Sequence, residues 1–134
     1  LVELGNLVAG SIDSFTIDYS RFGAFPSLSR PRVIFYSVAE GASALSELAR
    51  QIERETARIG FPPEKRAFRA HVTLARIKRP ISSMVREKLR QVPPLPEGTS
   101  QRVDHFILYR SHLSRTGAVY EELNRFNLKL DGDC

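Results

Sequence analysis

The chain has 134 residues, 42% hydrophobic and 26% charged, enough apolar material for one domain with its own core and unlike a disordered polar chain. No apolar run is long enough to span a bilayer and no basic start leads into an apolar stretch, so neither a membrane segment nor a secretory signal is expected. A formal charge of +5 favours polyanionic partners, and a single cysteine, Cys134 in the closing Asp131-Gly132-Asp133-Cys134, excludes an internal disulfide framework and fits a reducing, cytoplasmic setting.

Leu1 to Ile12 reads as a helix already in progress, with Leu1, Leu4 and Val8 at helical spacing and no N-cap before them, as though the chain began partway through a protein. Phe15, Ile17 and Tyr19 then alternate with Thr16 and Asp18, the period of a half-buried strand, which Phe22-Gly23-Ala24-Phe25-Pro26-Ser27 is expected to break. Val33 to Val38 is nearly all apolar and β-prone, the pattern of a central strand covered on both faces. Ser43 to Ile59 gives the clearest helix, with Leu45, Leu48, Ala49, Ile52 and Ile59 as its inner stripe and Gly60 followed by Phe61-Pro62-Pro63 as its stop.

Ala70 to Ile77 reads as a strand carrying His71 and halted by Pro80. Ser82 or Ser83 caps a short helix running through Gln91, with Val85 and Leu89 facing inward, before a loop containing Pro93, Pro94 and Pro96. Val103 to Arg110 is a strand, and Ala118 to Leu128 holds its partner across Ser114-Arg115-Thr116-Gly117. This order predicts an α+β fold, rich in antiparallel pairing, as a single domain over residues 1–134.

The chemistry concentrates in Arg69-Ala70-His71-Val72-Thr73-Leu74-Ala75-Arg76. Residues two apart on a strand share a face, about 6.5–7 Å along the chain, so His71 and Thr73 can touch one phosphate. The imidazole exchanges a proton near neutral pH and the hydroxyl donates a hydrogen bond to a non-bridging oxygen, while Val72 and Leu74 are expected to point into the core. Strict alternation puts Arg76 on the opposite face, where it reaches that phosphate only if the strand ends, twists or bulges. The triplet by itself does not separate a catalytic histidine from a packed one. Arg76, Lys78 and Arg79 read equally as a solvated strand end and as an RNA-facing rim. His105 and His112 read as packed or surface histidines. Neither they nor Cys134 offer a metal-ligand spacing, and no metal site is expected.

Three segments in order narrow these alternatives. Gly23-Ala24-Phe25-Pro26-Ser27 followed by Arg30-Pro31-Arg32-Val33, then Phe68-Arg69-Ala70-His71-Val72-Thr73-Leu74-Ala75-Arg76, then Leu108-Tyr109-Arg110-Ser111 with Gly117 and Tyr120, together resemble the LigT-like RNA 2′,3′-cyclic phosphodiesterases. That family belongs to the two-histidine phosphoesterase superfamily and was first described as 2′-5′ RNA ligases. The resemblance runs from about Phe15 to Leu128. It implies a bilobal α+β fold with antiparallel sheets around a central cleft and helices flanking it, each lobe supplying one His-x-Thr motif.

On that resemblance His71 is a catalytic histidine, Thr73 its phosphate-binding partner and Arg76 a further phosphate contact; no metal and no cofactor is implied. The implied partner is RNA with a 2′,3′-cyclic phosphate end, or a cyclic nucleotide, and the implied reaction is hydrolysis to a 2′-phosphomonoester, with 2′-5′ RNA ligation as a further implied activity. The family's first His-x-Thr motif lies upstream of a segment resembling Leu1 to Ile12, so the chain corresponds to the C-terminal part of such a domain. Two expectations follow: the chain alone is nearly inactive, and its uncovered sheet edges invite dimerisation or strand exchange. The alternative is an RNA- or nucleotide-binding relative that keeps the cleft without turnover.

Overall fold

The computed structural model of the chain describes residues 1–130; Cys134, the single cysteine, lies outside the described residues. The chain order is α1 (Val2–Ala9), β1 (Phe15–Phe25), β2 (Val33–Val38), α2 (Ala42–Ala57), β3 (His71–Arg76), α3 (Ser83–Arg90), β4 (Ser100–Val103), β5 (His105–Ser114) and β6 (Gly117–Asn127). Helices and antiparallel strands are mixed along the chain, as the sequence predicts. Two compact units form, one from Leu1–Phe15, Glu47–Ala67 and the chain from Arg102 onward, the other from Thr16–Ser46 and Phe68–Gln101.

The first unit holds the buried core. Val8, Ala9, Ile12, Leu48, Phe126 and Leu128 pack together, with Phe15, Ile52, Val103, Phe106 and Leu108 against them. Phe106 and Phe126 stack with centroids 4.9 Å apart, an arrangement that adds to their burial. Helix α1 sits over this pair through Gly5, where a Cβ would lie only 2.3 Å from the Phe126 ring. Strands β5 and β6 pair antiparallel from His105↔Asn127 to Ser114↔Gly117, with one register shift between Leu108 and Tyr109. The expected strand from Val103 is divided: Val103 ends β4, and the chain begins a separate two-stranded sheet at His105.

Helix α2 buries Leu48 as its periodicity requires, but its inner face also carries Glu55, 2% exposed. A buried carboxylate must be paired, and Arg54 and Arg58 supply the charge at 3.0 and 2.6 Å from exposed positions. Ile59, expected in the apolar stripe, lies beyond the end of the helix and is exposed.

The second unit is built on a four-stranded sheet in the order β3-β2-β1-β4. Strand β2 is central, yet all six of its residues are only partly buried, so the expectation of a strand covered on both faces does not hold among the described residues. Strand β1 does not stop at Tyr19. It runs eleven residues to Phe25, absorbing Phe22-Gly23-Ala24-Phe25 through a register irregularity between Tyr19 and Phe22. Gly23, which reads as a turn residue, is a strand residue that leaves room for the Phe35 ring: a Cβ there would approach Phe35 to 2.8 Å. The turn comes after the cis Phe25–Pro26 bond. Helix α3 is capped by Ser82, whose side chain accepts from the Val85 amide at 3.3 Å. Val85, expected to face inward, is exposed, and Leu89 is half-buried.

Candidate active site

Strand β3 lies at the edge of the four-stranded sheet, and all six of its residues are exposed. Val72 and Leu74 are 40% and 51% exposed, so they do not enter a core as the alternation suggests. An edge strand has one neighbour, which leaves Val72 and Leu74 half-exposed.

Directly opposed residues of antiparallel strands share a face, so the β2–β3 register shows which side chains gather. Ser37 pairs with His71 and Phe35 with Thr73, in step; then the register shifts, and Ile34 pairs with Ala75 and Val33 with Arg76. Two residues of β2 thus span three of β3, the signature of a bulge at Leu74. The consequence is chemical. Val33, Phe35 and Ser37 lie on one face of β2, and with the bulge their partners Arg76, Thr73 and His71 lie on that same face. Arg76, which unbroken alternation sends to the other side, joins His71 and Thr73.

The imidazole of His71 is held by two kinds of contact. Its Nδ1 lies 2.5 Å from the Arg69 carbonyl oxygen, which can only accept, so Nδ1–H donates and Nε2 is left as the nitrogen that gains or gives a proton. Its ring meets Phe25 and Phe35 edge-on, at 5.3 and 5.5 Å between centroids. Phe25 and Phe35 stack on each other at 4.2 Å, and the Arg69 guanidinium lies 5.8 Å from the Phe25 centroid. The two phenyl rings form an apolar floor that fixes the imidazole plane without taking its Nε2. Sequence reading missed both rings because Phe25 reads as part of a turn; the alternation Gly23, Phe25 on β1 against Phe35, Val33 on β2 was the available signal.

The other two histidines are committed elsewhere. His105 donates from Nδ1 to Asp104 at 2.5 Å and accepts at Nε2 from Arg125 Nη1 at 2.8 Å, so both its nitrogens are engaged. The His105 N–H holds the Asp104 carboxyl below its ordinary value. His112 meets Glu121 through Nε2 at 2.7 Å. Both lie on β5, in the two-stranded sheet, and among the described residues the four-stranded sheet carries His71 as its one histidine. No group of three or more His, Cys, Asp or Glu side chains suited to a metal ion occurs among the described residues. No helix among them is long and apolar enough to cross a membrane.

The chain as a whole is similar to known proteins. Residues 37–120 match the family model described as LigT like Phosphoesterase. A protein of Aeropyrum pernix named RNA 2′,3′-cyclic phosphodiesterase is 38% identical over 90% of this chain and 69% of its own length. Proteins of the same name from Thermus thermophilus and Aquifex aeolicus are 36% and 35% identical, over 96% and 85% of this chain; the chain spans 63% and 61% of their lengths. A crystal structure of a Thermus thermophilus protein superposes with a TM-score of 0.76 at 31% identity, covering 97% of this chain and 69% of that one. Escherichia coli LigT complexed with 3′-AMP superposes with a TM-score of 0.70 at 26% identity, covering 95% of this chain and 68% of that one. The chain belongs to the LigT-like phosphoesterase family.

Proposed function

We propose that the chain supplies one half of the catalytic apparatus of an RNA 2′,3′-cyclic phosphodiesterase, with His71 as a proton-transfer group and Thr73 and Arg76 as holders of the phosphate. The observation that carries this reading is the β3 bulge, which puts a hydroxyl and a guanidinium on the face of an imidazole whose Nε2 is free. The names of the relatives support the reaction class.

Ring opening requires water to attack phosphorus while the P–O3′ bond breaks opposite it. One group takes a proton from the water and another gives a proton to O3′, leaving the phosphate as a 2′-monoester. His71 performs one of these transfers through Nε2. The Thr73 hydroxyl and the Arg76 guanidinium hold the equatorial oxygens as charge builds on them. A second proton-transfer group is needed, and the sheet bearing His71 offers no other imidazole. The complementary group therefore comes from outside this face, and these 134 residues alone should turn over slowly, short by the roughly 10²–10⁴-fold that a positioned acid or base contributes. RNA ends or cyclic nucleotides are the substrates in this reading, which uses no cofactor.

That same absence of a second imidazole favours one alternative, a domain that binds nucleotide phosphates without turning them over. Assaying 2′,3′-cyclic AMP with the intact protein and its His71→Ala variant decides between them. Hydrolysis to the 2′-monophosphate that the variant loses supports the enzyme. Binding without hydrolysis in both supports the binding module. Strand β3, exposed at the sheet edge, also offers a pairing surface for a second copy. Self-association detected by light scattering and weakened by a Val72→Lys change would bear that out; a monomer at high concentration would end it.

A further inference from the structure

We propose that a basic depression beyond the Arg76 end of β3 is a second phosphate site, which takes internucleotide phosphates of a single-stranded RNA whose end lies at His71. The inference rests on the cyclic-phosphodiesterase reading and adds a subsite to it, one that holds the RNA backbone away from the reacting end. The depression has a volume of about 620 Å³ and is bordered by Arg30 and Arg32 from the β1–β2 loop, Lys78 and Arg79 after β3, and Arg86 on α3.

Five cations converge there and none of the lining residues is acidic. The two segments that build the depression, Pro26 to Arg32 and Ile77 to Arg86, contain no Asp or Glu at all. Among the described residues, none of the five cations takes part in an ion pair; Glu87, next to Arg86, is turned to Arg90 at 3.4 Å. Surface arginines and lysines usually find carboxylates in a chain with fifteen of them, and here the pairing happens elsewhere, as in Arg50–Glu47 and Arg125–Glu122. Like charges gathered without counter-charges repel one another, and a polyanion is what relieves them.

The backbone holds this cluster in place. The Arg32 amide donates to the Phe25 carbonyl and the Ile77 amide to the Arg32 carbonyl, both at 2.8 Å, tying the two basic segments side by side. Position selects the ligand. With its bulge, strand β3 covers about 13 Å from His71 to Arg76, the span of the opposed Ser37 to Val33 at ~3.3 Å per residue, and the depression opens past its end. A phosphate gripped at His71 and Thr73 and a phosphate in the depression therefore belong to different nucleotides of one strand. Arginine forks suit phosphate oxygens and read no bases, so the site favours length over sequence.

The test uses the intact protein and fluorescein-labelled oligoribonucleotides of two and six residues ending in a 2′-phosphate, with anisotropy measured between 50 and 200 mM NaCl. The wild type should bind the hexamer more tightly than the dimer. A Lys78→Gln/Arg79→Gln double variant, and separately Arg30→Gln, should lose most of that advantage. The double variant should also lower the slope of log affinity against log salt by about 1.4, roughly 0.7 for each phosphate contact removed. Lys78→Arg should restore binding, which a general loss of folding would not allow.

Equal hexamer affinity in wild type and variants overturns the proposal, as does displacement of the hexamer by poly-glutamate of equal charge, which would make the depression a general acidic-surface site. Hydrolysis of 2′,3′-cyclic AMP is followed in parallel to separate the two claims. Unchanged hydrolysis in the double variant with lost hexamer binding supports both. Lost hexamer binding in the variants of a protein that hydrolyses nothing supports the phosphate site while the enzymatic reading fails.

Discussion

The open face of β3 and the β5–β6 hairpin both present histidines, and they treat the imidazole in opposite ways. On the hairpin, His105 has both nitrogens engaged by Asp104 and Arg125, and His112 is tied to Glu121. On β3, His71 gives up one nitrogen to a backbone carbonyl and rests its ring against two phenyl groups, keeping Nε2 open. A carbonyl and an apolar floor orient an imidazole without neutralising it, whereas a carboxylate and a guanidinium fix its tautomer from both sides. Exposure does not distinguish the two regions. The partners do.

The strongest way to break this contrast is to remove each histidine in turn from a protein that hydrolyses cyclic phosphates. His71→Ala should lower kcat by about 10²–10⁴-fold, the usual worth of a proton-transfer group. His105→Ala and His112→Ala should leave kcat within about twofold, because their imidazoles are already committed to Asp104, Arg125 and Glu121. Comparable losses at all three positions would erase the contrast. Next in size is Thr73→Ala, which removes a hydrogen bond to a charged group and should cost about 10–100-fold in kcat/KM, corresponding to ~1.5–3 kcal/mol. Thr73→Ser should recover most of that.

Two substitutions by alanine sharpen the comparison at the level of packing. Gly23→Ala drives a methyl into the Phe35 ring and should shift the aromatic floor, lowering stability by about 1–3 kcal/mol and slowing turnover with it. Gly5→Ala makes the same kind of clash with Phe126 in the buried core. It should lower stability by a similar ~1–3 kcal/mol without a specific effect on turnover by the molecules that remain folded. Chemical denaturation read beside kcat separates the two.

The smallest effect belongs to the hairpin. Asp104 is held below the ordinary value of 3.8 by the His105 hydrogen bond, so its contribution is complete above that value and fades as pH falls through the lowered one. The melting temperatures of wild type and His105→Ala should therefore differ slightly at pH 5 and converge in stronger acid. A gap that widens on acidification would reverse the sign.

Much of this was legible from residue patterns alone. Helix α2 follows from the spacing of Leu45, Leu48 and Ile52, the α3 cap from Ser82, and the pairing of His71 with Thr73 from the two-residue period of a strand. Three features were not. The bulge that turns Arg76 toward His71 is a property of strand pairing, and a single strand's alternation carries no record of it. The continuation of β1 through Gly23 depends on Phe35 needing the space a side chain would fill, a long-range contact that local glycine statistics read as a turn. Glu55 is buried because Arg54 and Arg58 reach back to it, which hydrophobic periodicity counts as a surface position. In the first two cases pairing between distant segments overrode a local rule; in the third, charged neighbours along the helix did.

The most direct measurement is an NMR titration of the intact protein with 2′-AMP, following the imidazole nitrogens and the backbone amides. The account predicts that Nε2 of His71 and the Thr73 and Arg76 amides respond together and saturably, while both nitrogens of His105 and of His112 stay where they are. A response at Nδ1 of His71, or at the hairpin histidines with β3 silent, would contradict it.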